Sequence, residues 1–326
     1  MPRPFRINIL KLDPFLLALI ATVGLASLLP CRGQFAAGME WITDAGIVLL
    51  FFLHGARLSR EAIIAGLGAW RIHILTLAAT FVLFPAIGLA LRALSHGWLN
   101  PAIADGLLFL CLLPSTVQSS IAFTSIARGN VPAAVCSASA SNVLGIFITP
   151  VLVGLFLMSG SRGGFAADSL LSIVLQLLLP FVLGHFSRPR TDKFISKHKS
   201  ILGKVDRTTI LLVVYTAFSA AVIEGLWHKY SVGDLAWTFA LNGAILALVL
   251  FITRWTAKRV GLPIEDEIAV VFCGSKKSLA SGVPMASVLF PPVLLGPMVL
   301  PLMLFHQMQL MVCAVLAQRY GERPSN

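Results

Sequence analysis

Ten apolar stretches recur along the chain, each close to the roughly 20 residues that a helix needs to cross a hydrocarbon core. They cover residues 14–30, 41–56, 72–91, 102–127, 131–158, 169–187, 208–226, 235–253, 267–290 and 294–318. Of the 326 residues, 57% are hydrophobic and only 12% are charged, about half the ~25% charged content of a soluble domain. A surface so poor in charge excludes an ordinary cytosolic enzyme, a disordered chain and a nucleic-acid-binding domain. The predicted class is an all-α polytopic membrane protein with ten transmembrane helices. The first stretch follows Arg3, Arg6 and Lys11 as a signal peptide would. Leu28-Leu29-Pro30-Cys31 matches no A-x-A cleavage site, however, so the segment reads as a retained helix.

The formal charge of +11 reads as topology rather than as a binding surface. With both termini cytoplasmic, 19 of the 25 Lys and Arg fall on inner connections. Arg32, Arg92, Arg162 and Lys229 fall outside. That is the positive-inside pattern of an inner-membrane protein, and the basic tract 188–207 faces anionic lipid headgroups, not nucleic acid. Two cations remain, Lys276 and Lys277, both inside the ninth stretch. Cys31, Cys111, Cys136, Cys273 and Cys313 show no disulfide or metal spacing and read as small buried hydrophobes.

Dividing ten spans into five and five inverts the second half relative to the first, as in many secondary transporters. The predicted halves run over residues 13–158 and 168–320. The fourth span of each is interrupted. LCLLPSTVQSSIAFTSIARGN (residues 110–130) and VFCGSKKSLASGVPMASVLF (residues 271–290) both carry helix breakers among polar side chains. Pro114 removes a backbone hydrogen bond beside Ser115, Thr116, Gln118, Ser119 and Ser120, and Gly274 and Pro284 bracket the second break. Such breaks at corresponding positions mark a substrate site near the midplane. The fifth span adds Ser137, Ser139, Ser141 and Asn142, whose serines read equally as close helix packing. In the tenth, His306, Gln307 and Gln309 read as core-facing polar groups, Gln307 being a candidate ligand. His54, His73 and His185 read as satisfied structural residues.

Lys276 and Lys277 lie about ten residues into their span, where a lysine costs roughly 2.5–3.5 kcal/mol. Flanked by Ser275 and Ser278, they are candidate functional groups; the structural alternative is a lysine paired with the carbonyl end of a helix. Asp44, Asp105, Glu224 and Glu267 all lie near an interface, so no ion pair at the same depth is evident.

At these residues the chain resembles the bile acid:sodium symporter superfamily, in its divergent bacterial sodium-bile-acid-symporter-like branch. The most specific pieces are FFLHGARLSREAI (51–63), TFVLFPAIGLAL (80–91), LLPSTVQSS (112–120), IARGN (126–130) and FCGSKKSLASGVPM (272–285). The resemblance covers nearly the whole chain. It implies a core domain of spans 3–5 and 8–10 with crossing broken helices, a panel domain of spans 1, 2, 6 and 7, and organic-anion transport driven by sodium. Ser119 and Ser120 match sodium-ligand positions of the family's Pro-Gly-Gly-x-x-Ser-Asn stretch, whose asparagine is missing here. A third-helix glutamine ligand falls near Thr80, and fifth-helix hydroxyls fall near Ser137, Ser139 or Ser141. A sodium site carried over in this way uses Ser119, Ser120 and Ser139. The family's ninth-helix glutamate and glutamine become the 272–277 region, with two lysines and no acid. An ammonium there both repels sodium and supplies its charge. Lys276 or Lys277 is therefore expected to replace a bound sodium, leaving transport sodium-independent or proton-linked, or else to bind the anionic substrate.

The expected function is a symporter-like secondary active transporter that moves an organic anion, such as a bile-acid- or steroid-like one, by alternating access. No cofactor is expected, and the coupling ion is sodium or a proton. The partners are the small organic anion and the lipid bilayer. A cation/proton antiporter and a non-transporting membrane regulator are the alternatives. An enzyme is not expected, since no Ser/His/Asp set or paired carboxylate occurs at depth.

Overall fold

The computed structural model describes residues 14–57, 68–158, 167–223, 225 and 231–323. Arg3, Arg6, Lys11, Arg60, Arg162, Glu224 and Lys229 of the charge pattern lie outside the described residues. Every regular element among the described residues is a helix: α1 (Pro14–Leu28), α2 (Gly33–Ala56), α3 (Trp70–Leu94), α4 (Pro101–Leu112), α5 (Gln118–Ile126), α6 (Val131–Phe156), α7 (Ala167–Lys197), α8 (Lys199–Ile223), α9 (Val232–Arg259), α10 (Ile264–Gly274), α11 (Leu279–Leu289) and α12 (Pro292–Gly321). Six of them (α2, α3, α6, α8, α9 and α12) are long and apolar enough to cross a membrane. Their outer faces expose large apolar side chains such as Trp41, Val82, Leu155 and Phe251, an exterior suited to lipid rather than water.

Local chemistry sets the starts. Asn100 and Asn130 cap α4 and α6, each accepting a first-turn N–H and each followed within two residues by a proline. Ser231 and Asp234 form a capping box on α9, each side chain accepting a main-chain N–H of the other. Glu265, Asp266 and Glu267 fill the first turn of α10, where the helix dipole favours negative charge.

Two interruptions organise the centre. Residues 113–117 separate α4 from α5, and residues 275–278 separate α10 from α11. The first falls at Pro114, as the sequence predicts. The second begins just after Gly274 but does not reach Pro284, which lies buried inside α11. The chain unwinds where Ser275–Ser278 finds tertiary hydrogen-bond partners. A lone proline inside a helix removes only one bond.

The helices associate in two groups. In one, α2 packs along α7, α1 along α8, and α8 against α2. In the other, α3 packs on α4, α6 and α10, while α12 packs on α4, α5, α9 and α11. The helix α8 bridges the groups through α11 and α12, as α6 does through α7. Small residues bring α2 and α7 together: a Cβ on Gly55 would overlap the Phe181 carbonyl oxygen, and one on Gly184 would overlap that of Phe52. Gly55→Val and Gly184→Val should each destabilise the protein by about 1–3 kcal/mol, measured as a lower unfolding midpoint in detergent, whereas Gly203→Ala, which meets open space, should not.

Candidate functional site

The two interruptions meet at what we term the crossing, where many of their main-chain groups find tertiary partners. After α4, the carbonyl of Leu112 accepts from the Thr149 hydroxyl (2.9 Å), that of Pro114 from the Ser278 N–H (3.0 Å), and that of Ser115 from the Asn142 amide (2.6 Å). The Ser115 N–H donates to Ser141 Oγ (3.0 Å). At the end of α10, the carbonyls of Val271, Phe272 and Cys273 accept from the hydroxyls of Ser275, Ser120 and Ser115. Unwound backbone at membrane depth requires this kind of internal matching.

The lysines complete the set. Lys277 is fully buried, and its ammonium donates to the carbonyls of Thr80 (3.0 Å), Cys111 (3.0 Å) and Leu113 (2.6 Å), with the Phe84 ring centroid 4.1 Å away. Lys276, equally buried, donates to the Ser119 carbonyl (2.9 Å) and sits 3.9 Å from the Phe123 centroid. Of the two, Lys277 enters the crossing from α10 and takes the carbonyl end of α4. Its own main chain is held on both sides by Gln309, whose Oε1 accepts the Lys277 N–H and whose Nε2 donates to the Lys277 carbonyl, both at 2.9 Å.

Beside the crossing lies a cavity of about 640 Å³. On one side it meets Thr116, Gln118, Ser119, Ser139, Asn142 and Ser278. On the other it meets Phe15, Phe51, His54 and Arg57, then Phe181, and then Lys204, Asp206, Arg207 and Ile210 of α8. Arg57 forms an ion pair with Asp206. The wall thus carries three cationic side chains against one carboxylate.

The predicted residues therefore divide. Thr116, Gln118, Ser119, Ser139, Asn142 and Ser278 line the cavity; Thr80, Ser115, Ser120, Ser137, Ser141, Ser275, Lys276 and Lys277 are buried behind it. Asn142 lines the cavity and also ties the two broken helices together, its amide N–H donating to the Ser115 carbonyl and its Oδ1 accepting from the Ser281 hydroxyl (2.7 Å) of α11. Ser137 shares a 2.6 Å hydrogen bond with His73. Gln307 is half-buried and outside the cavity lining. Its neighbour Gln309, which pairs with His306 three residues earlier (2.8 Å), is the one that reaches the crossing. Helical spacing was the available signal: positions 306 and 309 share a face and 307 does not. The sequence reading also missed Thr149, Ser281 and the cavity wall of Arg57, Lys204, Asp206 and Arg207, whose cations it had assigned to topology.

The model of the SBF-like CPA transporter family matches residues 13–322. The chain belongs to that family. A Pseudomonas aeruginosa protein named "Uncharacterized protein PA2026" is 59% identical over 311 residues, covering 95% of this chain and 93% of its own. The Escherichia coli K12 protein named "Putative symporter YfeH" is 55% identical over 309 residues, with 95% and 93% covered. More distant is the zebrafish (Danio rerio) sodium/bile acid cotransporter 7, 27% identical over 312 residues, covering 93% and 91%. The chain is accordingly a multi-pass membrane protein of a transporter family, not an enzyme.

Gln309→Leu leaves both main-chain groups of Lys277 without partners, and each such group costs about 1–3 kcal/mol when buried. The unfolding midpoint should fall clearly, while Gln307→Leu should leave it nearly unchanged.

Proposed function

We propose that this chain is a secondary transporter of an amphipathic organic anion, working by alternating access across the inner membrane with both termini cytoplasmic. One observation carries the reading: the cavity has a polar wall of broken-helix backbone and an opposing wall that combines cations with apolar surface. Arg57, Lys204 and Arg207 outnumber Asp206, and Phe15, Phe51, Phe181 and Ile210 supply the apolar area. A solute with an anionic head and an apolar body satisfies both. The helix α5 begins at the same cavity with Val117 as its cap and no side chain bonded there, and a helix N-terminus favours negative charge. The relatives named as sodium/bile acid cotransporters support a bile-acid- or steroid-like body, since a bile acid is such an amphiphile.

In this reading each interrupted pair, α4 with α5 and α10 with α11, is one span, which makes ten, five on each side of residues 159–166. The odd number inverts the second half. The helices α1, α2, α7 and α8 act as the panel and the remainder as the core, with the cavity between them. Rigid-body motion of one against the other then exposes the cavity to alternate sides. An antiporter would use a carboxylate at the crossing, whereas Lys276 and Lys277 take carbonyls and ring faces.

The test is uptake by proteoliposomes of a radiolabelled steroid carboxylate and of its neutral amide. Saturable uptake of the acid alone is expected; equal uptake of both, or of neither by folded protein across a panel of amphipathic anions, overturns the reading. Lys204→Gln and Arg207→Gln should each weaken apparent affinity for the acid by roughly tenfold, the loss of about 1.5 kcal/mol for one charged hydrogen bond.

A further inference from the structure

The site around the Lys277 ammonium exists because of groups other than Lys277. In α3, residues Ala79–Leu83 form a π-helical turn, so the Phe84 N–H bonds to Ala79 instead of Thr80. The next residue able to serve the Thr80 carbonyl in that register is Pro85, which has no N–H. The Thr80 carbonyl is thereby released from its own helix. The carbonyls of Cys111 and Leu113 are released by the unwinding at Pro114, and they stand at the C-terminal end of α4, where the helix dipole is negative. Three freed carbonyls from two elements thus converge beneath the face of Phe84. Buried carbonyls of this kind require donors or a cation, and an ammonium with three hydrogens meets all three.

We infer that Lys277 is a tethered counter-cation: its ammonium occupies a carbonyl cradle that would otherwise hold a free monovalent cation, so the crossing forms without taking sodium from solution. The sodium ligands carried over by resemblance do not fit a metal here. They do not converge: Ser119 and Ser139 line the cavity, Ser120 is buried with its hydroxyl turned to the Phe272 carbonyl, and the Ser119 carbonyl is already taken by the Lys276 ammonium. Lys276 is not an equivalent device, having one carbonyl where Lys277 has three. The consequence for transport, independence from a sodium gradient, rests on the function proposed above; the cradle itself does not.

The experiment uses the purified full-length protein in detergent. Its unfolding midpoint is measured in sodium chloride and in choline chloride at equal ionic strength. The wild type should be indifferent to the exchange. Lys277→Ala should unfold at lower temperature and recover about 5 °C in saturating sodium, ammonium or methylammonium, by mass action at the vacated site, but nothing in choline, which is too large. Lys277→Met, which fills the volume without charge, should be destabilised and not rescued; if it cannot be purified while Lys276→Met can, the same requirement for charge at position 277 is met in its extreme form. Saturable stabilisation of the wild type by sodium overturns the inference. So does a Lys277→Met protein as stable as the wild type. None of these readings needs a transported solute, so failure of the transport proposal leaves them intact. If uptake is found, its rate should be equal in sodium and choline.

Discussion

A peptide group without a partner in hydrocarbon costs several kcal/mol, and this fold places two unwound stretches in its interior. Everything else follows from how those stretches are satisfied. Thr149, Asn142 and Ser141 come from α6, Ser278 and Lys277 from the opposite break, and Gln309 from α12. Each break is therefore completed by the other and by the two long helices beside it. Low local dielectric makes such a network strong when complete and unfavourable when a member is missing. The packing of α4, α6, α10 and α12 is the condition under which neither break is left exposed.

The division between buried and cavity-facing polar groups has a mechanical meaning. Ser115, Ser120, Ser141 and Lys277 use their polar atoms on main-chain partners from other elements, and Ser275 closes the end of its own helix. Gln118 and Ser139 face the cavity, leaving side chains available to a solute. A crossing held by its own hydrogen bonds moves as one piece. Packed interiors shift between discrete arrangements rather than deforming continuously, so on the transport reading the displacement belongs to the boundary that α8 forms with α11 and α12.

Much of this was legible in the chain. Apolar runs located the helices, Pro114 located the first break, and the expense of charge at depth singled out Lys276 and Lys277. What was not legible depends on partners distant in sequence. Whether a lysine faces a solute or a carbonyl cradle turns on Pro85, roughly 190 residues away, acting through a π-helical turn that no periodicity announces. Pro284 resembled a break point and is an ordinary helix residue, because unwinding needs partners as well as a breaker. Gln307 and Gln309 stand two residues apart on nearly opposite faces of α12, and only the packing of that helix against the crossing gives the difference weight.

Orienting a membrane protein requires Lys and Arg on one side's connections but does not require them to point anywhere. Arg57, Lys204 and Arg207 nonetheless turn toward the cavity. The Arg57–Asp206 pair is also less complete than the crossing: Arg57 Nη2 and Asp206 Oδ1 are buried with no hydrogen-bond partner. A buried ion pair with unsatisfied atoms is a weak source of stability, and any rearrangement that supplies a partner to either atom gains what this arrangement lacks. The buried side chains of Ser115, Ser120, Ser275, Lys276 and Lys277 all have partners, whereas Arg57 and Asp206 on the opposite wall each leave a buried atom without one. On the transport reading, that contrast assigns the rigid element to the crossing and the adjustable one to α2 and α8.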